Sequence, residues 1–288
     1  MSSRARTFRD LHASGCFLLP NPWDRGSAIA LESLGFSALA TTSAGFAFSI
    51  GARDHPLALE LEAVLAHVAA LVGATRLPVT ADYQSGFARE PEELARNVTL
   101  CVRTGVAGLS IEDSSGDPQA PLLDHDLAVE RIVAARAAID DEDPEVVLTA
   151  RSEAWLVGHP DRRRLARERL VAFAEAGADC LFAPGVFDPA AIAELVRAVA
   201  PKPVNVLMSR PAEGLTLAHL ADLGVRRVSV GSALARVAWG AFLDAARSLR
   251  ESGAFDALAG AVSFAELNEL FGEHPRGSRP AGSGPPPE

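Results

Sequence analysis

Four short apolar runs in this chain each carry or close on residues equipped for chemistry: Leu77-Pro-Val-Thr-Ala-Asp82, Gly108-Leu-Ser-Ile-Glu-Asp113, Val146-Val-Leu-Thr-Ala-Arg-Ser-Glu153 and Pro203-Val-Asn-Val-Leu207. A buried parallel strand is apolar along its length, so a charge at its end has little packing reason to be there. Asp54, Asp82 and Glu112 fall after the second predicted strand and at the ends of the third and fourth. Converging carboxylates suit a hard divalent cation such as Mg²⁺, which keeps several of its waters; the alternative is that each caps a helix or pairs with an arginine. Arg151 presents a planar fork to a carboxylate or phosphonate, or else forms an ion pair with Glu153. Asn205, an amide inside an apolar run, must be hydrogen-bonded, either to a substrate carboxylate or to a neighbouring loop. Thr41, Thr42 and Ser43 could grip an anion or serve only their own turn.

Other candidates carry less. Val230-Gly-Ser232 resembles the phosphate cradle that many barrels build after strands seven and eight, but a lone Gly-Ser at a helix start is more often a plain N-cap, and no phosphate is assigned to it. Lys202, the sole lysine, precedes the seventh strand and so lies at the end opposite the polar ones. A Schiff-base mechanism needs a lysine among the reacting groups, and this chain has none there. The histidines form no metal-binding pair, and only His55, beside Asp54, is kept as a candidate at the mouth.

The elements that must position these groups follow from hydrophobic patterning. Strand-like runs recur at 17–20, 38–42, 78–82, 108–112, 146–151, 179–183, 203–207 and 227–230, separated by segments of helical spacing. In Glu92 to Thr104, for example, Leu94, Val98, Cys101 and Val102 share one face. Eight strands alternating with helices predict a parallel (β/α)8 TIM barrel, whose strand ends converge on a single mouth. Gly35, Gly105, Gly177 and Gly224 each stand where a helix must stop before a strand. Ala233 to Ser252, Phe255 to Leu258 and Phe264 to Phe271 are helices in excess of the eight units, which predicts an oligomer. One domain over residues 1–273 and a disordered tail over 274–288 are expected, because the Pro/Gly/Ser-rich end lacks apolar anchors.

Composition excludes several classes. A net charge of −10 over 288 residues argues against a nucleic-acid partner. Cys16, Cys101 and Cys180 have neither the number nor the spacing of a disulfide framework or a thiolate site, and read as small buried hydrophobes. No run is long enough to span a membrane and the N-terminus lacks a signal-peptide core, so a cytoplasmic location is expected.

Taken in order, Asn21-Pro-Trp-Asp24, Gly51-Ala-Arg-Asp54, Thr80-Ala-Asp82, Ile111-Glu-Asp113, Ala150-Arg-Ser-Glu153 and Ala176-Gly-Ala-Asp-Cys180 resemble the isocitrate lyase/phosphoenolpyruvate mutase superfamily. The likeness runs from about Phe8 to Leu270. It implies a barrel that binds Mg²⁺, with Mn²⁺ as an alternative, and small 2-oxo acids or phosphonates. It also implies a C-terminal helix swapped between subunits of a dimer or homotetramer. By this resemblance Asp82 and Glu112 match metal-site carboxylates, and Asp54 matches the gating-loop aspartate near metal and substrate. Arg151 matches the substrate-anion arginine, Thr42, Ser43 and Ala44 the oxo-acid-binding turn, and Asn205 a substrate contact of the lyase branch.

Three departures narrow what the resemblance implies. Thr80 stands where members carry the first aspartate of an Asp-Ala-Asp triplet. The loop Ser114-Ser-Gly-Asp-Pro-Gln-Ala-Pro121 lacks the Lys-(Lys/Arg)-Cys-Gly motif whose cysteine protonates the leaving carbanion in the lyases. The mutase version of that loop is missing as well, and Leu181-Phe-Ala-Pro184 lacks the lyases' sixth-strand glutamate. Loss of a general acid is worth about 10²–10⁴-fold. The expectation is therefore a Mg²⁺-dependent lyase of a small 2-oxo or 2-hydroxy di- or tricarboxylate, acting through an enolate by decarboxylation or hydrolysis. Asp54, Glu112 and Arg151 are its catalytic candidates. The alternatives are a phosphonate-branch enzyme and a weakly catalytic 2-oxo-acid binding protein.

Overall fold

Each apolar run becomes a parallel strand: β1 (Phe17–Leu19), β2 (Leu39–Ala40), β3 (Val79–Asp82), β4 (Gly108–Glu112), β5 (Val147–Arg151), β6 (Cys180–Phe182), β7 (Val204–Leu207) and β8 (Arg227–Ser229). They belong to a computed structural model that describes residues 3–55 and 58–272. The strands pair in the order β1-β8-β7-β6-β5-β4-β3-β2. At the seam between β1 and β2, Ala40 N–H donates to the Pro20 carbonyl at 3.0 Å and Asn21 Nδ2 donates to the Thr41 carbonyl at 2.8 Å. The sheet is thus a nearly closed (β/α)8 barrel, as the alternation of elements predicts.

The helices, in chain order, are α1 (Arg4–Leu11), α2 (Arg25–Ser33), α3 (Ser43–Ser49), α4 (Leu61–Val72), α5 (Pro91–Val102), α6 (His125–Glu142), α7 (Arg162–Glu175), α8 (Pro189–Val199), α9 (Leu217–Asp222), α10 (Ala233–Ser252) and α11 (Phe264–Gly272). A 3₁₀ turn, Asp256–Leu258, separates the last two. Along α5 the buried side chains are Leu94, Asn97, Val98, Cys101 and Val102, the face read from the 3.6-residue period plus one amide. Two of the helix-ending glycines illustrate the turn into a strand. Gly177 and Gly224 sit at φ 105° and 88°, where a side chain is strained, and a Cβ would lie 2.9 Å from Arg136 and from Val196 respectively.

The N-terminal helix closes the barrel floor. Phe8 of α1 is fully buried, and its ring meets His12 and Phe17 edge-on at 4.8 and 6.2 Å. Arg9 anchors α1 to Asp179 at 2.8 Å, and the same carboxylate takes Arg136 at 2.8 Å, so the aspartate of Ala176-Gly-Ala-Asp-Cys180 is a floor tie. Gly108 has no side chain because Phe8, Thr80 and the Val147 carbonyl already crowd the place a Cβ would take. Cys101 and Cys180 are buried as expected of small hydrophobes, while Cys16 is only half-buried.

Past the barrel, α10 and α11 expose Val237, Phe242 and Phe264, and Phe255 before the 3₁₀ turn between them is exposed as well. Among the described residues no helix is long and apolar enough to cross a membrane. The expected tail, residues 274–288, lies outside the described residues.

Candidate active site

The C-terminal strand ends meet around one guanidinium. Arg151, at the end of β5, donates to Asp82 Oδ1 at 2.7 Å and to Glu153 Oε1 at 2.9 Å, and lies 3.2 Å from Glu112 Oε2. Its other face lies over the Phe182 ring, 5.2 Å from the centroid. The parallel register makes this meeting unavoidable, since Glu112 pairs with Arg151 and Arg151 with Phe182 across β4, β5 and β6. The sequence offered Arg151 either a substrate anion or Glu153; the structure gives it three carboxylates at once.

Asp82 links this cluster to the turn after β2. Its Oδ2 accepts from Ser43 N–H at 2.9 Å and from Ser43 Oγ at 2.8 Å, while Thr41 Oγ1 accepts from Asp82 N–H at 2.9 Å. Thr42 caps α3 by accepting from Gly45 N–H at 3.2 Å. Thr42, Ser43 and Ala44 all line the cavity, yet Ser43's donors are directed at Asp82.

Asp113 supports the site from behind. Its carboxylate accepts from Glu153 N–H at 2.8 Å and pairs with buried Arg169 of α7 at 3.0 Å. The pair thereby fixes the β4 and β5 ends that carry Glu112 and Glu153.

Three acids around one arginine leave surplus negative charge in a buried place. Burial pushes the Glu112 carboxyl up to about 8, Arg151 opposes this, and Glu153, Asp82 and Asp113 reinforce it. Burial raises Glu153 in the same way. Asp54 sits on the exposed loop after α3, where shielding by the rim and then the charge of Asp82 raise it. His55 is also exposed and is absent from the cavity wall.

The donor set is all oxygen and carries excess charge, which suits a hard cation. Among the described residues, however, no three His, Cys, Asp or Glu side chains converge closely enough to cage an ion. The residues therefore fit a cation held by one or two carboxylates and completed by water and substrate, the usual manner of Mg²⁺. Thr80, facing the cavity, supplies a hydroxyl in place of a further carboxylate.

The cavity has a volume of about 450 Å³ and runs from Asp54 and Ser43 at the mouth past Arg151 to Arg227 at the floor. Asn205 lines the cavity and bonds to the neighbouring strand rather than to a loop: its Oδ1 accepts from Arg227 Nε at 2.9 Å and its Nδ2 donates to Ser229 Oγ at 3.0 Å. Arg227 and Arg236, both in the wall, escaped the sequence reading. Arg227 opens its strand directly after Arg226, where a charge reads as an ordinary strand start, so the sequence carried little signal for it. Arg236, on an exposed turn of α10, had none.

The N–H groups of Val230 and Gly231 both donate to Asn21 Oδ1, at 3.0 and 2.8 Å, so the loop that resembled a phosphate cradle is occupied by Asn21. The loop from Ser114 folds back on itself through the Ser114–Leu122 bridge, and none of its side chains lines the cavity.

Residues 8–250 match the sequence model of the phosphoenolpyruvate phosphomutase family. An uncharacterized Mycobacterium tuberculosis protein is 38% identical over 91% of this chain and 94% of its own. An oxaloacetate decarboxylase of Chromohalobacter salexigens is 30% identical over 91% of both chains. Among solved structures, a candidate lyase/mutase from Burkholderia cenocepacia J2315 superposes with a TM-score of 0.89 at 46% identity, covering 93% of this chain and 95% of that one. With the barrel, the ordered motifs and these likenesses in agreement, the chain belongs to the phosphoenolpyruvate mutase/isocitrate lyase superfamily of lyases and mutases.

Proposed function

We propose that the chain is a metal-dependent lyase that decarboxylates or hydrolyses a small oxaloacetate-like 2-oxo acid through an enolate. The observation that carries this reading is the over-charged cluster in which Asp82 and Arg151 line the 450 Å³ cavity while Glu112 and Glu153, outside its wall, pair with the same guanidinium. Asp82 and Glu112 would hold a divalent cation, Mg²⁺ or Mn²⁺, whose Lewis acidity lowers the cost of charge developing on the substrate's 2-oxygen.

The remaining work falls to the chain's own groups. Glu112, whose burial favours the protonated form, would give up that proton when a cation takes its place. Arg151 keeps the acids apart and offers a fork to a substrate carboxylate when one of them turns to a cation. Asp54 on the rim loop positions water or closes the mouth, and Thr42, Ser43 and Ala44 form the wall against which the oxo acid lies. The cysteine-free loop supports decarboxylation or hydrolysis over reversible aldol cleavage, because neither needs that proton donor. The Chromohalobacter decarboxylase, similar over 91% of this chain, points the same way.

The test is product analysis after incubation of the protein with Mg²⁺ or Mn²⁺ and oxaloacetate, 2-methylisocitrate, 2,3-dimethylmalate or phosphonopyruvate. Metal-dependent release of pyruvate, or of oxalate and acetate, from oxaloacetate supports the reading. Turnover of phosphonopyruvate alone moves the chain to the phosphonate branch, and binding without turnover of any of the four makes it a 2-oxo-acid binding protein.

We further propose that the exposed apolar side chains of α10 and α11 are covered by a second subunit. Truncation after about Ala241 should then yield a monomer or insoluble protein. A native-size, well-folded assembly of the truncated chain in sedimentation would count against it.

A further inference from the structure

The interior of a TM barrel is ordinarily filled by branched aliphatic side chains in layers. Here the cavity wall below the mouth is polar: Thr80, Ser110, Thr149, Asn205, Arg227 and Ser229 all face it and all are buried. Arg227, 3% exposed, is the one ionised group among them. A buried guanidinium without a counter-ion is costly, and proteins usually compensate it with a carboxylate. Among the described residues no carboxylate lies within ion-pair distance of Arg227. Its partners are Asn205 Oδ1 at 2.9 Å, Thr149 Oγ1 at 3.0 Å and His12 Nε2 at 3.3 Å, all neutral groups.

The neutrality of His12 follows from its bonds. Its Nδ1 lies 2.8 Å from the Phe8 carbonyl, which can only accept, so the ring proton is on Nδ1 and the bare Nε2 accepts from Arg227. Burial and then the charge of Arg227 hold this imidazole well below its ordinary value, at about 3. The charge on Arg227 is therefore shared with no basic or acidic neighbour.

Donor counting leaves capacity to spare. A guanidinium has five N–H groups, and these three bonds use one each from Nε, Nη1 and Nη2. Two remain. Ser229 Oγ accepts from Asn205, and no described residue accepts the proton of Ser229 or of Thr80. The floor thus combines one positive charge with surplus donors and no competing acid, the inverse of the mouth, where three acids surround one arginine.

We infer that the barrel floor is a second anion subsite, in which Arg227, oriented by Asn205, Thr149 and His12, binds the distal carboxylate of a dicarboxylic acid lying along the barrel axis. The proximal carboxylate then lies at the mouth beside Ser43 and Arg151. This assigns Asn205 to positioning Arg227, and it makes the chain selective for diacids over monoacids. The inference rests on the mouth being a small-acid site but not on any turnover there, so its test reads binding alone.

The experiment is calorimetric titration of the full chain with succinate and glutarate against butyrate and valerate, in which a methyl replaces the distal carboxylate, and with 3-phosphonopropionate. A charge-assisted pair at Arg227 should make the diacids bind about 10- to 100-fold tighter than their monoacid counterparts. Arg227→Met should reduce diacid affinity to the monoacid level while leaving butyrate binding unchanged, and Arg227→Lys should recover part of the loss. If the methionine variant does not fold, ¹⁵N spectra of the wild-type arginine Nε–H signals decide: the Arg227 signal must shift on saturation with succinate. Equal affinities for diacid and monoacid, no binding by any diacid, an unmoved Arg227 signal, or a folded methionine variant that keeps diacid affinity would each overturn the inference. Preference for the phosphonate over both diacids would overturn the carboxylate assignment. Should every acid fail to turn over while diacid binding still depends on Arg227, the lyase reading falls and this one stands.

Discussion

Replacing Arg151 by glutamine removes the only cation within 3.2 Å of Asp82, Glu112 and Glu153 among the described residues, and leaves those acids facing one another. Breaking a buried pair by deleting one partner costs about 3–5 kcal/mol, because the remaining charge is uncompensated. In a chain of this size that loss lowers the melting temperature by roughly 6–15 °C at pH 8. The pH dependence has a definite sign. Glu112 is held up to about 8 even with Arg151 in place, so the folded state binds its proton more tightly than the unfolded chain does. Such a group favours folding below the ordinary glutamate range and loses that contribution as pH rises towards its folded value. Without Arg151 the window widens upward. Below about 8 Glu112 keeps its proton in parent and variant alike, so the variant should fall further behind as pH rises past that value, by up to about 1.4 kcal/mol per pH unit for this group. Adding Glu112→Gln to Arg151→Gln should restore stability above about pH 8, since an amide of the same shape removes the charge that Glu112 takes on there. Thermal melts of the parent, both single variants and the double variant across this pH range read the coupling directly. An Arg151→Gln protein that melts within a degree of the parent at pH 8, or whose deficit is the same at every pH, would refute the assignment of Arg151 as the counter-ion of this cluster.

Other consequences can be checked singly. Gly108→Ala puts a methyl 2.9 Å from Thr80 Oγ1 and the Val147 carbonyl and 3.0 Å from the Phe8 ring, so a loss of about 1–3 kcal/mol is expected in urea unfolding. Because His12 is held at about 3 and the unfolded residue titrates near 6.5, stability is complete above that value and falls with pH below it, by at most about 1.4 kcal/mol per unit. His67, held at about 4 mainly by burial, adds a similar loss, so His12→Leu should flatten the acid limb of the melting profile without abolishing it. Thr80→Asp supplies the carboxylate that the superfamily's triplet carries, and should tighten Mg²⁺ binding about tenfold or more by calorimetry. Unchanged affinity would place the cation away from β3.

The sequence by itself determined the barrel. Its eight strands are short apolar runs and its helices keep a 3.6-residue period, and both signals are local, so each strand was found within two residues at either end. Glycines such as Gly177 and Gly224 were readable for the same reason, since their role is set by their own backbone angles. The polar strand ends were readable too, because a charge that ends a buried strand contradicts its surroundings. Only the tertiary structure decided what those residues hold. Strand register brought Asp82, Glu112 and Glu153 onto one guanidinium, tied Asn205 to Arg227, and gave Val230 and Gly231 N–H to Asn21, 209 and 210 residues away. Partner choice at a barrel mouth depends on distances between strands that are far apart in the chain. Spacing along one strand carries no information about them, which is why the sequence placed Arg151 at the mouth yet left its partner open.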